Sequence, residues 1–139
     1  MTDLLRVVVD ANVLLSLLIE RNEVQQAKAQ ALLRRAENGE VVVVLAQFIL
    51  FETIYAFRTS YDYSASAVTA AIRDAMALPG VIIVDDCPWQ QFFEYWSDRW
   101  PDVGDAAILA LSIEHRYSLA TFDHKLSNRA RTLGVSPYW

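Results

Sequence analysis

Apolar positions along the chain follow two rhythms. Short unbroken runs rich in valine and isoleucine, residues 7–9, 41–45 and 81–84, read as strands buried on both faces, the habit of a parallel sheet, and residues 117–121 supply a fourth. Between them the spacing changes to that of helices, over residues 13–19, 23–38, 47–58, 64–78, 88–100, 105–116 and 125–133. In the second helix Val24, Ala27, Ala31 and Leu32 share a face, and Asn38-Gly39 closes it as a left-handed cap would. In the fourth, Ser64 is placed to cap, Val68, Ile72, Ala75 and Met76 form the inner face, and Pro79-Gly80 stops it. The tail 135–139 is a candidate edge strand. Strand and helix alternate throughout, which predicts an α/β fold, a three-layer α/β/α sandwich around a mainly parallel sheet, in a single domain over 1–139.

Two carboxylates interrupt this pattern. Asp10 closes the first valine run and is followed at once by an apolar helix, so it falls at the carboxyl end of a strand, where open α/β sheets place ligands. Glu52 is the only acid of its helix, between Phe48-Ile-Leu-Phe51 and Thr53-Ile-Tyr-Ala-Phe57, and so apolar a helix leaves it few routes to water. Asp105 and Asp123 fall at comparable places, just beyond a strand or on the helix after it. Right-handed crossovers bring all four to one edge of the sheet. A helix-capping role accounts equally well for Asp105 or Asp123 taken alone, but not for Glu52, and only poorly for Asp10. Four acids together repel unless a cation joins them, and hard oxygen donors suit Mg²⁺ or Mn²⁺.

Composition narrows the chemistry further. At 139 residues, 54% hydrophobic and 21% charged, the chain can bury a real core. Its single cysteine, Cys87, excludes an internal disulfide and a cysteine zinc cluster and suits a reducing cytoplasm. With two histidines, His115 and His124, neither at ligand spacing with a partner, both read as surface residues and zinc is disfavoured. No signal peptide or membrane span is evident, which makes a soluble intracellular protein the expectation. There is no glycine-rich phosphate loop. The net charge of −5 argues against tight coating of nucleic acid, yet residues 115–134 hold Arg116, Lys125, Arg129 and Arg131 against Asp123 alone. Lys125, Arg129 and Arg131 are candidates for RNA phosphate contacts, weighed equally against a solvated helix face.

With these residues in view, the chain resembles the PIN-domain ribonucleases, especially the single-domain VapC-type toxins of bacterial toxin–antitoxin pairs. The matching pieces are Val7-Val-Val-Asp10-Ala-Asn12-Val-Leu14, Glu52 in its apolar helix, Val103-Gly-Asp105-Ala-Ala-Ile-Leu-Ala110 and Leu119-Ala-Thr121-Phe-Asp123. Each is weak alone; four in order across the chain are specific. The resemblance implies a metal site of Asp10, Glu52, Asp105 and Asp123, supported through hydrogen bonds by Asn12 and Thr121. It implies Mg²⁺- or Mn²⁺-dependent hydrolysis of RNA, an antitoxin partner and a homodimer.

Several features stay open at this level. Asp102 could reach the same metal through water or decorate a loop, the loop being favoured. Asp85 and Asp86 read as turn and cap residues. The aromatic stripe Trp89, Phe92, Phe93, Trp96 and Trp100 suits a core or a dimer face better than base stacking. The rival readings are a phosphatase resembling the haloacid dehalogenase superfamily, whose opening motif has a second acid where this chain has Asn12, and a non-catalytic protein-interaction module.

Overall fold

The valine runs form the expected sheet. A computed structural model describes residues 3–139. Its strands are β1 (Leu5–Val9), β2 (Val41–Ala46), β3 (Val81–Val84) and β4 (Ser118–Ala120), ordered β3-β2-β1-β4 with every pairing parallel. The helices are α1 (Ala11–Leu18), α2 (Glu23–Glu37), α3 (Gln47–Thr59), α4 (Ala65–Met76), α5 (Trp89–Tyr95), α6 (Val103–His115) and α7 (His124–Thr132). Alternate residues of the strands feed two cores. Val7, Val9, Val43 and Leu45 pack with α1 to α4, and Val8, Val44 and Leu119 pack with α5 to α7. The result is the three-layer sandwich.

Topology places the site. The chain steps outward from β1 to β2 to β3, then returns to pair β4 on the other side of β1. The crevice at such a reversal, beyond the carboxyl ends of the strands, is where this class of sheet opens to ligands. Here it lies between the ends of β1 and β4, which carry Asp10 on one side and Thr121 and Asp123 on the other. The tail adds a single bridge, Leu119 to Pro137, rather than a full strand, with Leu119 N–H donating to Ser136 and Tyr138 N–H to Leu119.

Local chemistry explains most helix ends. Asn22 and Ser64 accept hydrogen bonds from Gln25 and Ala67 as N-caps, each worth about 1 kcal/mol. Gly39, at φ 75°, supplies the left-handed turn after α2. Four expectations need correction. In α2 the buried residues are Ala29, Leu32 and Ala36, whereas Val24, Ala27 and Ala31 are exposed, because the alanine-rich helix has two apolar stripes and only one meets the sheet layer. Met76 is exposed at the end of α4, where the chain already turns away. Helix α5 stops at Tyr95, so the aromatic stripe divides: Phe92 and Trp100 are buried while Trp89 and Phe93 are exposed. Neither Asp85 nor Asp86 caps α5, whose N-cap is Pro88 with no side-chain bond; Asp86 instead pairs with His115 Nε2 at 2.7 Å.

Candidate metal centre

Asp10 is buried at the end of β1, 7% exposed, and is held from two sides. Its Oδ1 caps α1 by accepting the Val13 N–H at 3.1 Å, and its Oδ2 accepts the Thr121 hydroxyl from the end of β4. The capping role judged a poor account of Asp10 is therefore present. It uses one lone pair of one oxygen and leaves acceptor capacity on both. Thr121 Oγ1 in turn accepts the Asp123 N–H at 3.0 Å, so one hydroxyl ties the acid of β1 to the turn after β4.

Asp123 and Asp105 are placed by helix starts. Asp123 is the N-cap of α7 and its Oδ1 accepts from Lys125 and Leu126 N–H. Helix α6 begins at Val103, two residues earlier than the sequence pattern suggests, and Asp102 is its N-cap, with Oδ1 accepting the Asp105 N–H at 2.8 Å. Asp105 thereby sits in the first turn, where free amides favour a negative charge. The exposed loop position expected for Asp102 is thus a specific capping one, legible as an aspartate three residues before an acid.

Glu52 differs from expectation in exposure. It lies on the open side of α3, beside Phe51 and Tyr55, rather than within the core. It still approaches α6 closely: a Cβ on Gly104 would stand 3.2 Å from Glu52 Oε2 and 3.3 Å from Asp102 Oδ1. Glycine at 104 lets the Glu52 carboxylate come up against the start of α6.

The electrostatics join these acids into one cluster. Burial raises the pKa of Asp10 despite its hydrogen bonds from Thr121 and Val13, and the Asp123 charge raises it further. Glu52 is raised by desolvation and then by Asp102 and Asp10. Asp105 is pushed up to about 6, chiefly by desolvation, then by Asp102 and Asp123, against the pull of Arg129. Arg129 Nη1 is 3.7 Å from Asp105 Oδ2. Among the described residues it is the only cation in an ion pair with the cluster.

The donor set fits a hard divalent cation: it is all oxygen, and its mutual repulsion is what bound Mg²⁺ or Mn²⁺ relieves. Among the described residues no three acids already converge at ligand spacing. Asn12 is exposed, and its main-chain carbonyl accepts a hydrogen bond from Arg21 Nη2 at 2.7 Å. Lys125 and Arg131 are exposed on α7, and Arg131 bonds Asn128 of its own helix.

A comparison with protein families matches the PIN domain over residues 7–132. The chain belongs to the PIN domain family. The match spans all four acids, and PIN proteins are nucleases, which leaves the phosphatase alternative without support. Three solved structures share the fold. The Mycobacterium tuberculosis toxin VapC20, described as cleaving the sarcin–ricin loop, aligns at 18% identity over 88% of this chain and 94% of its own, with a TM-score of 0.66. VapBC2 from Rickettsia felis, solved on a fragment of its promoter DNA, aligns at 12% identity over 90% and 92%, also at 0.66. PAE2754 from Pyrobaculum aerophilum aligns at 15% over 91% and 87%, at 0.64. No curated protein matches the sequence.

Proposed function

We propose that the protein is a Mg²⁺- or Mn²⁺-dependent endoribonuclease and the toxin of a toxin–antitoxin pair. The observation that carries this reading is the coupled carboxylate cluster at the switch point of the sheet, in a chain of a nuclease family. Asp10 and Asp105 would be the principal ligands, with Glu52 and Asp123 completing the set. A bound divalent cation supplies a water of lowered pKa and a Lewis acid for the phosphoryl oxygen.

The protein's own groups do the rest. Thr121 fixes the Asp10 carboxylate by donating to Oδ2, and acceptor capacity remains on both oxygens. Glu52, on the open side and with a raised affinity for protons, would either join the ligands or orient the attacking water as a base. Lys125, Arg129 and Arg131 lie along α7, the helix that starts at Asp123, and offer phosphate contacts along the RNA. The test is cleavage of a structured RNA with added Mg²⁺ or Mn²⁺. Cleavage should vanish with a chelator and return with either ion; cleavage that persists through chelation would defeat the proposal.

An antitoxin partner follows from the same reading and is supported by the VapBC2 likeness. A second copy of the chain is the proposed occupant of the exposed aromatic face, where Phe51 and Tyr55 of α3 and Trp89 and Phe93 of α5 are each more than 60% exposed. Pocket-lining Phe48, Phe51, Trp89 and Val103 make that face continuous across α3, α5 and the start of α6. Contiguous exposed apolar residues mark interaction sites, and a two-fold pairing would bury the same face on both copies. Sedimentation should show a dimer for the wild type and a monomer for Phe51→Glu combined with Phe93→Glu. A wild-type monomer at micromolar concentration would rule the pairing out.

A further inference from the structure

Arg129 differs from the other basic residues of α7. Its Cζ lies over the ring of Trp100, 5.9 Å from the centroid, while Nη1 reaches Asp105. Trp100 is itself buried and braced by Tyr95 at 4.6 Å, and it precedes the segment that carries Asp102 and Asp105. The guanidinium therefore lies between a buried, braced aromatic ring on one side and the Asp105 carboxylate on the other. At 3.7 Å its contact with Asp105 Oδ2 is an ion pair without a hydrogen bond. The guanidinium keeps its donor fork for another acceptor.

A carboxylate that ligates a divalent cation cannot also serve fully as the counter-ion of a guanidinium beside it, because the two cations repel. A planar guanidinium held near such a site has one well-matched alternative acceptor, a phosphodiester, which it meets through two parallel hydrogen bonds. We propose that Arg129 exchanges counter-ions: it neutralises Asp105 until a divalent cation takes that carboxylate, and then, still over the Trp100 ring, positions a non-bridging phosphate oxygen of the RNA. This rests on the metal-dependent ribonuclease reading and adds a residue that couples metal binding to substrate binding. It also separates Arg129 from Lys125 and Arg131, which stand in no ion pair with the acids among the described residues.

The distinguishing consequence is that one substitution moves two affinities in opposite directions. Mn²⁺ binding would be measured by calorimetry, and RNA binding with a short oligonucleotide carrying non-hydrolysable phosphonate linkages, in saturating Mn²⁺. Arg129→Ala should bind Mn²⁺ about threefold to tenfold tighter, since a competing charge is gone, and the oligonucleotide about tenfold weaker. Arg129→Lys keeps the charge but loses the fork. It should leave Mn²⁺ affinity near wild type and give intermediate RNA affinity. Arg129→Ala that weakens both, or leaves Mn²⁺ affinity unchanged, overturns the exchange and makes Arg129 a structural residue. A wild type that binds no Mn²⁺ overturns the metal reading itself, and that result appears before any substitution is made.

Discussion

Asp10→Asn should reduce RNA cleavage by about a hundredfold or more, because losing an anionic ligand removes more than the 10- to 100-fold typical of an outer-shell partner. The fold should survive. Asparagine is as good an N-cap as aspartate, so its side-chain oxygen can still accept the Val13 N–H that Asp10 Oδ1 accepts. The amide can also meet the Thr121 hydroxyl, which is able to act as acceptor. Circular dichroism and thermal melting should therefore resemble the wild type while Mn²⁺ affinity and cleavage fall together. Unchanged cleavage in a folded Asp10→Asn would remove this residue from the metal centre. The substitution is a cleaner probe than alanine, which would unmake the cap of α1 as well.

The second large effect is on stability, and it runs opposite to activity. Asp105 has a folded-state pKa raised to about 6 by burial and by its acidic neighbours, against about 3.9 in an unfolded chain. The folded protein therefore holds this proton where the unfolded chain has released it. The associated stability is fully present below about pH 4 and is lost as pH rises through about 6. Without divalent metal, the melting temperature should fall as pH is raised from 5 to 7.5 if this group dominates the titration. Added Mg²⁺ should restore it at the upper end. Asp105→Asn should raise the metal-free melting temperature at pH 7.5 by about 3–5 °C, the equivalent of about 1 kcal/mol for a domain this size, while abolishing cleavage. A variant that melts lower than the wild type at pH 7.5 would show that Arg129 and the start of α6 stabilise Asp105 more than the cluster strains it.

The layered fold was legible because valine and isoleucine runs have few alternatives to buried parallel strands. The strand-end acids were legible because charge in such surroundings calls for an explanation. What could not be read locally was decided by packing. Helix α2 presents two apolar stripes, and only contact with the sheet layer selects Ala29, Leu32 and Ala36 over Val24, Ala27 and Ala31. Glu52 reads as interior because its neighbours are apolar, yet two of them, Phe51 and Tyr55, are themselves exposed on the same side of α3. The pairing of Arg129 with Asp105 and Trp100 joins residues far apart in sequence, and no periodicity encodes it. The N-cap role of Asp102, by contrast, follows a local pattern, an aspartate three residues before an acid, that a plain loop assignment passes over.

The order of the strands also has a consequence for the protein's synthesis. Strand β1 precedes its sheet neighbours in the chain but lies inside the sheet, and the bond between Thr121 and Asp10 spans 111 residues. Asp105 and Asp123 likewise come late, so a nascent chain carries Asp10 through most of translation without its partners. Chains emerge from the ribosome amino-terminus first, and contacts of such long sequence separation form only after the distant segment arrives. A chain truncated before β4 lacks both Thr121 and Asp123 and so has no complete acidic centre. Under the proposed ribonuclease function, this connectivity withholds the complete acidic centre from the translating ribosome until β4 and the turn to Asp123 have been made.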